Sequence, residues 1–174
     1  MPDSNEQLWR SLIMDVPDFP QPGILFRDVT PLLESGEGLR SAVDALARAF
    51  TNIDVVAGIE SRGFIFGAPV AYALGVGMVP VRKPGKLPRA TASADYSLEY
   101  GTNTLQLHRD AVTPAQRVLI VDDVLATGGT AAATVALIEE LGAEVAGIAV
   151  LIELSALNGR AKLGDIPLVS LLSY

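Results

Sequence analysis

Arg117-Val118-Leu119-Ile120-Val121-Asp122-Asp123-Val124-Leu125-Ala126-Thr127-Gly128-Gly129-Thr130 decides the fold. The apolar run Val118 to Val121 is what a parallel strand covered on both faces requires. Two adjacent carboxylates follow, then a Thr/Gly loop, then an Ala-rich helical pattern. The order is strand, acidic pair, loop, helix. A Gly pair frees the backbone and leaves its amides uncovered. Amides of such a loop, running into a helix N-terminus, form a cradle for phosphate. Thr127 and Thr130 add hydroxyl donors. Asp122 and Asp123 repel phosphate, but they suit hydroxyls that donate, such as a sugar diol. A magnesium ion on that diol also favours nearby oxygens. The stretch therefore reads as a ribose 5-phosphate site.

The bulk composition bounds the rest. At 174 residues the chain suits one well-buried domain. A hydrophobic content of 49% fits a compact α/β protein, and the net charge of −7 argues against nucleic acid or an anionic membrane as partner. An anionic ligand must then be held by a local basic cluster. There is no Cys, which excludes disulfides, thiolate nucleophiles and Cys-ligated metals. Residues 1–10 are polar and lack the apolar core of a signal peptide, and no apolar run reaches membrane-spanning length. The cytoplasm is the expected compartment.

Outward from the central stretch, strands and helices alternate. Residues 5–14 fit a short helix, with Ser4 and Gln7 as a capping box and Trp9 as a packing residue. Three prolines and Gly23 make residues 16–28 a stiff extended loop. Phe26 there fits either a core position or the wall of a site for a planar heterocycle. Helical spacing marks residues 37–50, and residues 53–59 read as a buried strand. That strand ends in Glu60-Ser61-Arg62-Gly63, just before a helix at 64–74. Ser61 and Arg62 there form either a plain surface turn or a second phosphate site.

A strand at 77–82 leads into Arg82-Lys83-Pro84-Gly85-Lys86-Leu87-Pro88-Arg89. Four cations in eight residues supply the basic cluster that the acidic chain needs. Residues 89–95 are small and polar and read as a mobile loop. A strand over 104–107, with a turn near Gly101, suggests a hairpin. Glu99 on its own is a solvent-facing hairpin residue, and His108 sits outside any chemical constellation. The central helix, 129–141, stops at Gly142. Strands at 145–152 and 168–172 complete a mostly parallel α/β sheet.

Four segments carry a resemblance to a known family. Val121 to Thr130 resembles the phosphoribosyl-pyrophosphate (PRPP) motif of type I phosphoribosyltransferases. Asp18-Phe19-Pro20 with Pro22 to Asp28, Val81-Arg82-Lys83 with Gly85 to Pro88, and Tyr96-Ser97-Leu98-Glu99-Tyr100-Gly101 are similar to segments of adenine phosphoribosyltransferases. The likeness runs over about residues 15–174. It implies a central sheet flanked by helices, with a small N-terminal hood at about 15–30, a flexible hairpin loop, and one domain over 1–174.

The resemblance also implies the roles. Adenine and PRPP give AMP and pyrophosphate, with Mg2+ as cofactor. Phe26 stacks on adenine, the backbone of Leu25 and Arg27 reads its edge, and Leu157 closes the other face. Asp122 and Asp123 hold the ribose hydroxyls, and Ala126, Thr127, Gly128, Gly129 and Thr130 hold the 5′-phosphate. Ser61, Arg62, Arg82, Lys83 and Lys86 hold pyrophosphate, and the loop at Ser61 carries a cis peptide at Glu60-Ser61 or Ser61-Arg62. Glu99 is the acid/base. A homodimer is implied, with basic-loop cations able to reach across its interface. The rivals are an enzyme for hypoxanthine, guanine or xanthine, which calls for a different hood, and a PRPP-sensing regulator, which calls for a DNA-binding extension.

Overall fold

The computed structural model describes residues 4–97 and 102–174. Five parallel strands form the central sheet: β3 (Val55–Ile59), β4 (Gly77–Val81), β7 (Arg117–Leu125), β8 (Glu144–Glu153) and β9 (Leu168–Ser173), in the order β4-β3-β7-β8-β9. Val118 to Val121 is wholly buried, as its unbroken apolar run requires. Alternation divides its side chains between two cores. Val118 and Ile120 pack with α5 (Gly129–Glu140). Leu119 and Val121 pack on the opposite face, with Phe66 and Val70 of α4 (Gly63–Leu74) and Leu46 of α3 (Gly36–Arg48). The sheet order reverses between β3, whose crossover leads outward to β4, and β7, whose crossover leads the other way to β8. In open α/β sheets a ligand crevice lies outside the strand ends at such a point.

The amino-terminal segment differs from its expectation in detail. Helix α1 occupies Ser4–Ser11, shorter than the expected 5–14. Met14 already belongs to β1 (Met14–Pro17), which pairs antiparallel with β2 (Leu25–Asp28). The Pro-rich loop is thus the connection of a two-stranded ribbon, and a five-residue helix, α2 (Thr30–Glu34), follows with Pro31 in its first turn. Trp9 is a packing residue: it is 5% exposed and its indole N–H donates to Ser41 Oγ at 2.8 Å.

Residues 91–95, expected as a loop, belong to a strand. Thr91–Ser97 is strand β5, paired antiparallel with β6 (Thr102–His108), from Thr91 opposite His108 to Ser97 opposite Thr102. Ala92 is buried and joins Leu105 and Leu107 in the α5-side core. The segment has few large apolar residues, so its order comes from pairing and from that contact. Its outer end is pinned by Arg89, which ion-pairs with Asp110 and lies 3.2 Å from His108 Nδ1. Gly142 stands just past α5 with φ of 83°, as a terminating glycine should.

Candidate active site

The carboxyl ends of β3, β4 and β7 open into a cleft of about 450 Å3, roofed by the β1–β2 ribbon. Each wall follows from the strand that ends there. Beyond β3, the chain turns through a cis peptide at Glu60-Ser61, which leads into the first turn of α4. Arg62 stands at the helix entrance, facing the acids of β7. Its Nε lies 2.8 Å from Asp123 Oδ2, and its guanidinium lies 5.1 Å from the centre of the Phe26 ring. Gly63 lets this helix sit on the acidic pair: a Cβ there would come within 2.8 Å of Asp122 Oδ1.

Asp123 is 5% exposed, and its Oδ2 accepts no hydrogen bond. The Arg62 N–H is close but misdirected, so the oxygen has an opposite charge without a donor. A buried carboxylate oxygen without a donor is costly, and it suits a hydroxyl arriving from a ligand. Asp122 keeps one edge open to the cleft but is otherwise enclosed by protein, and its Oδ1 accepts from the Asp123 amide at 2.8 Å. Burial, and then the neighbouring charge of Asp123, push its carboxyl well above the usual carboxylate range.

The Thr/Gly loop lines both the cleft and a smaller adjoining pocket of about 60 Å3. Ala126 and Thr130 face both cavities, and Thr127 and Gly128 face the smaller one. Gly128 has φ of 77°, and Gly129 begins α5. The loop amides therefore precede a helix N-terminus, the arrangement that favours an anion.

The basic loop is shaped by the strands beside it. Glu60 accepts from the Lys83 amide at 2.9 Å and from Arg82 Nε at 3.2 Å. The Lys83 bond and the Arg82 contacts hold the Glu60 carboxyl below its ordinary range. Arg82 also exchanges backbone hydrogen bonds with Gln106 of β6, which ties the loop to the hairpin.

Of the residues expected in the site, the cleft brings together Leu25, Phe26, Arg27, Ser61, Arg62, Lys83, Asp122, Asp123, Ala126 and Thr130. Thr127 and Gly128 line the adjoining pocket, Gly129 starts α5, and three more lie elsewhere. Arg82 turns toward Glu60 and the Phe64 ring, Lys86 is exposed beside it, and Leu157 is 45% exposed in a 3-10 turn, Ser155–Leu157. Leu154, three residues earlier, lines the cleft instead. Glu99 lies outside the described residues. Tyr96 and Asn103 were not expected; they face each other across the β5–β6 ladder and line the cleft together. A register about the expected turn at Gly101 would pair Tyr96 with Gln106, so nothing in the sequence marked this pair. Among the described residues no group of three His, Asp or Glu could cage a metal ion.

A family model of the phosphoribosyl transferase domain matches residues 31–166. The adenine phosphoribosyltransferase of Trichormus variabilis is 57% identical over 169 residues, covering 95% of this chain and 98% of its own. The crystal structure of the adenine phosphoribosyltransferase of Thermoanaerobacter pseudethanolicus superposes with a TM-score of 0.94 at 49% identity, over 97% of this chain and 99% of its own. The Saccharomyces cerevisiae enzyme, complexed with an imino-altritol bisphosphate and adenine, gives a TM-score of 0.92 at 42% identity, over 97% and 99%.

Proposed function

Since the chain belongs to the adenine phosphoribosyltransferase family, we propose that its cleft is the active site for the reaction its relatives are named for. The chain transfers the 5-phosphoribosyl group of PRPP to adenine, giving AMP and pyrophosphate, a purine-salvage step. One observation carries the placement of that reaction. A ring (Phe26), a guanidinium (Arg62) and a half-open carboxylate pair converge on one cleft, beside an amide-rich loop that opens a helix.

Phe26 stacks on adenine, and the backbone of Leu25 and Arg27 meets its edge. A carbonyl there selects the 6-amino group, since a carbonyl facing an oxo group leaves two unpaired acceptors. Leu154, which lines the cleft, takes the role expected of Leu157 on the other face of the base. Asp122 and Asp123 accept from the ribose hydroxyls, and the buried lone oxygen of Asp123 gains its missing donor. Residues 126–130 hold the 5′-phosphate, so binding far from the reacting carbon is turned into alignment.

Adenine N9 bonds to the ribose anomeric carbon as the bond from that carbon to the pyrophosphate oxygen breaks. The purine proton passes to Glu99. Ser61, Arg62 and Lys83 take up the charge growing on pyrophosphate. Asp122 and Asp123 would stand beside a Mg2+ ion bound with PRPP, and that ion would supply further charge neutralisation there.

A single unit over 1–174, a homodimer and a cytoplasmic setting go with this reading. Lys86 is exposed and does not line its own cleft, and in a homodimer it serves the partner's. Among the described residues no helix is long and apolar enough to cross a membrane. The test is incubation with adenine, PRPP and Mg2+, following both products. AMP and pyrophosphate appearing in equal amounts is the expected result; pyrophosphate without AMP would mean PRPP hydrolysis and refute the transfer.

A further inference from the structure

The amide cradle at 126–130 is braced from outside its own loop. It rests against a second 3-10 turn, Gly159–Lys162, and the contact is backbone on backbone. A Cβ on Gly128 would overlap the carbonyl oxygen of Gly159. A Cβ on Gly159 would overlap the carbonyl oxygen of Ala126 and approach Gly128 N to 3.0 Å. No side chain stands between them that could rotate aside. Gly159 is buried, although the turn around it is exposed.

The turn itself is clamped from behind. Arg160 donates through Nε to Glu153 Oε1 at 2.6 Å and through Nη2 to Glu153 Oε2 at 2.7 Å. Its Nη1 donates to the Leu168 carbonyl at 3.1 Å, so the guanidinium bridges the ends of β8 and β9. Ser170 Oγ donates to the same Glu153 carboxylate at 2.9 Å. Glu153 is 8% exposed, and Arg160 holds its carboxyl below the ordinary range. Leu163 closes the turn as a buried core residue.

We propose that Asn158-Gly159-Arg160 is a strut that sets the spacing of the loop amides, with Gly159 and Arg160 as positioning residues for the 5′-phosphate. This rests on reading 126–130 as the phosphate site. The strut belongs to the same short segment as Leu154, which lines the base end. One clamped segment therefore fixes the phosphate end and borders the base end. The pyrophosphate end, at Ser61, Arg62 and Lys83, is built on β3 and β4 and is independent of it.

That independence provides the test. Ribose 5-phosphate, ribose and magnesium pyrophosphate are titrated calorimetrically into the full chain, into Gly159→Ala and into Arg160→Lys, with melting curves alongside. Losing one or two amide contacts to a charged phosphate weakens ribose 5-phosphate binding by about tenfold or more in Gly159→Ala. Arg160→Lys keeps the charge but not the two-pronged bond, and gives a smaller loss in the same direction. Pyrophosphate affinity stays within about twofold of the parent. Unchanged ribose 5-phosphate affinity in a folded variant overturns the strut, and so does an equal loss for both ligands. If Gly159→Ala does not fold, Arg160→Lys decides by the same comparison. A parent protein that binds ribose 5-phosphate no better than ribose overturns the phosphate reading of the loop, and the strut with it.

Discussion

Asp123→Asn separates a ligand-binding acid from a structural one. The change keeps shape and removes one charge from a buried side chain. The gross attraction between Asp123 and Arg62 at 2.8 Å is about 6 kcal/mol at an effective dielectric near 20. Desolvation of a buried carboxylate costs several kcal/mol, and Arg62 is partly exposed to water, so the net value is about 1 kcal/mol. Against that loss stands a gain. Asp122 is disfavoured as an ion partly by its neighbour's charge, and the amide relieves it. The two effects oppose, and the melting temperature should move by no more than about 4 °C. Binding has no such compensation. Losing a charged acceptor for a ribose hydroxyl costs about 1.5–3 kcal/mol, or roughly 10- to 150-fold in kcat/KM for PRPP.

The pH dependence adds a second signature. Because the Asp122 carboxyl lies above its ordinary range in the folded protein, it takes up a proton earlier as pH falls. PRPP affinity should weaken on the acid side through that raised value. In Asp123→Asn the acid limb should move to lower pH. Steady-state kinetics from pH 4 to 8, with melting curves, measure both. A large fall in melting temperature with PRPP KM unchanged would refute the reasoning and make Asp123 a structural residue.

Three other outcomes are expected. Glu99→Gln should lower kcat far more than PRPP affinity, measured by turnover and direct titration; similar losses in both would remove the proton-transfer role. Phe26→Ala should raise the adenine KM and leave PRPP binding nearly intact, and an unchanged adenine KM would end the stacking assignment. Glu153, whose folded carboxyl lies below its reference value of 4.5, stabilises the fold above that value, and this support disappears as pH falls through the depressed value. Glu153→Gln should therefore flatten the acid side of a melting-temperature profile, and a profile parallel to the parent's would contradict it.

What the sequence disclosed and what it hid follow from the range of each signal. The buried strands were legible because β-branched runs such as Val118 to Val121 need no context. Asp122, Asp123 and the Thr/Gly loop were legible because their chemistry is local. Strand β5 was missed because its inward residues are small: Ala92 buries too little surface to mark a strand until β6 and α5 meet it. Helix α2 was missed because five residues carry no period. The position of Arg82 depends on Glu60, 22 residues away, and nothing near Arg82 in the chain announces that partner. The same holds for Gly128 and Gly159, whose contact is made only by tertiary folding. Leu154 and Leu157 differ by a turn of chain, and only the path of the 3-10 turn decides which reaches the cleft.

Base selectivity is the decisive measurement for a cleft that reads adenine through its hood and joins it to PRPP. Adenine, hypoxanthine, guanine and xanthine are each supplied with PRPP and Mg2+, and kcat/KM is measured for nucleotide formation. AMP should form from adenine, with little or no product from the three oxopurines. A value for any oxopurine equal to or above that for adenine would contradict it.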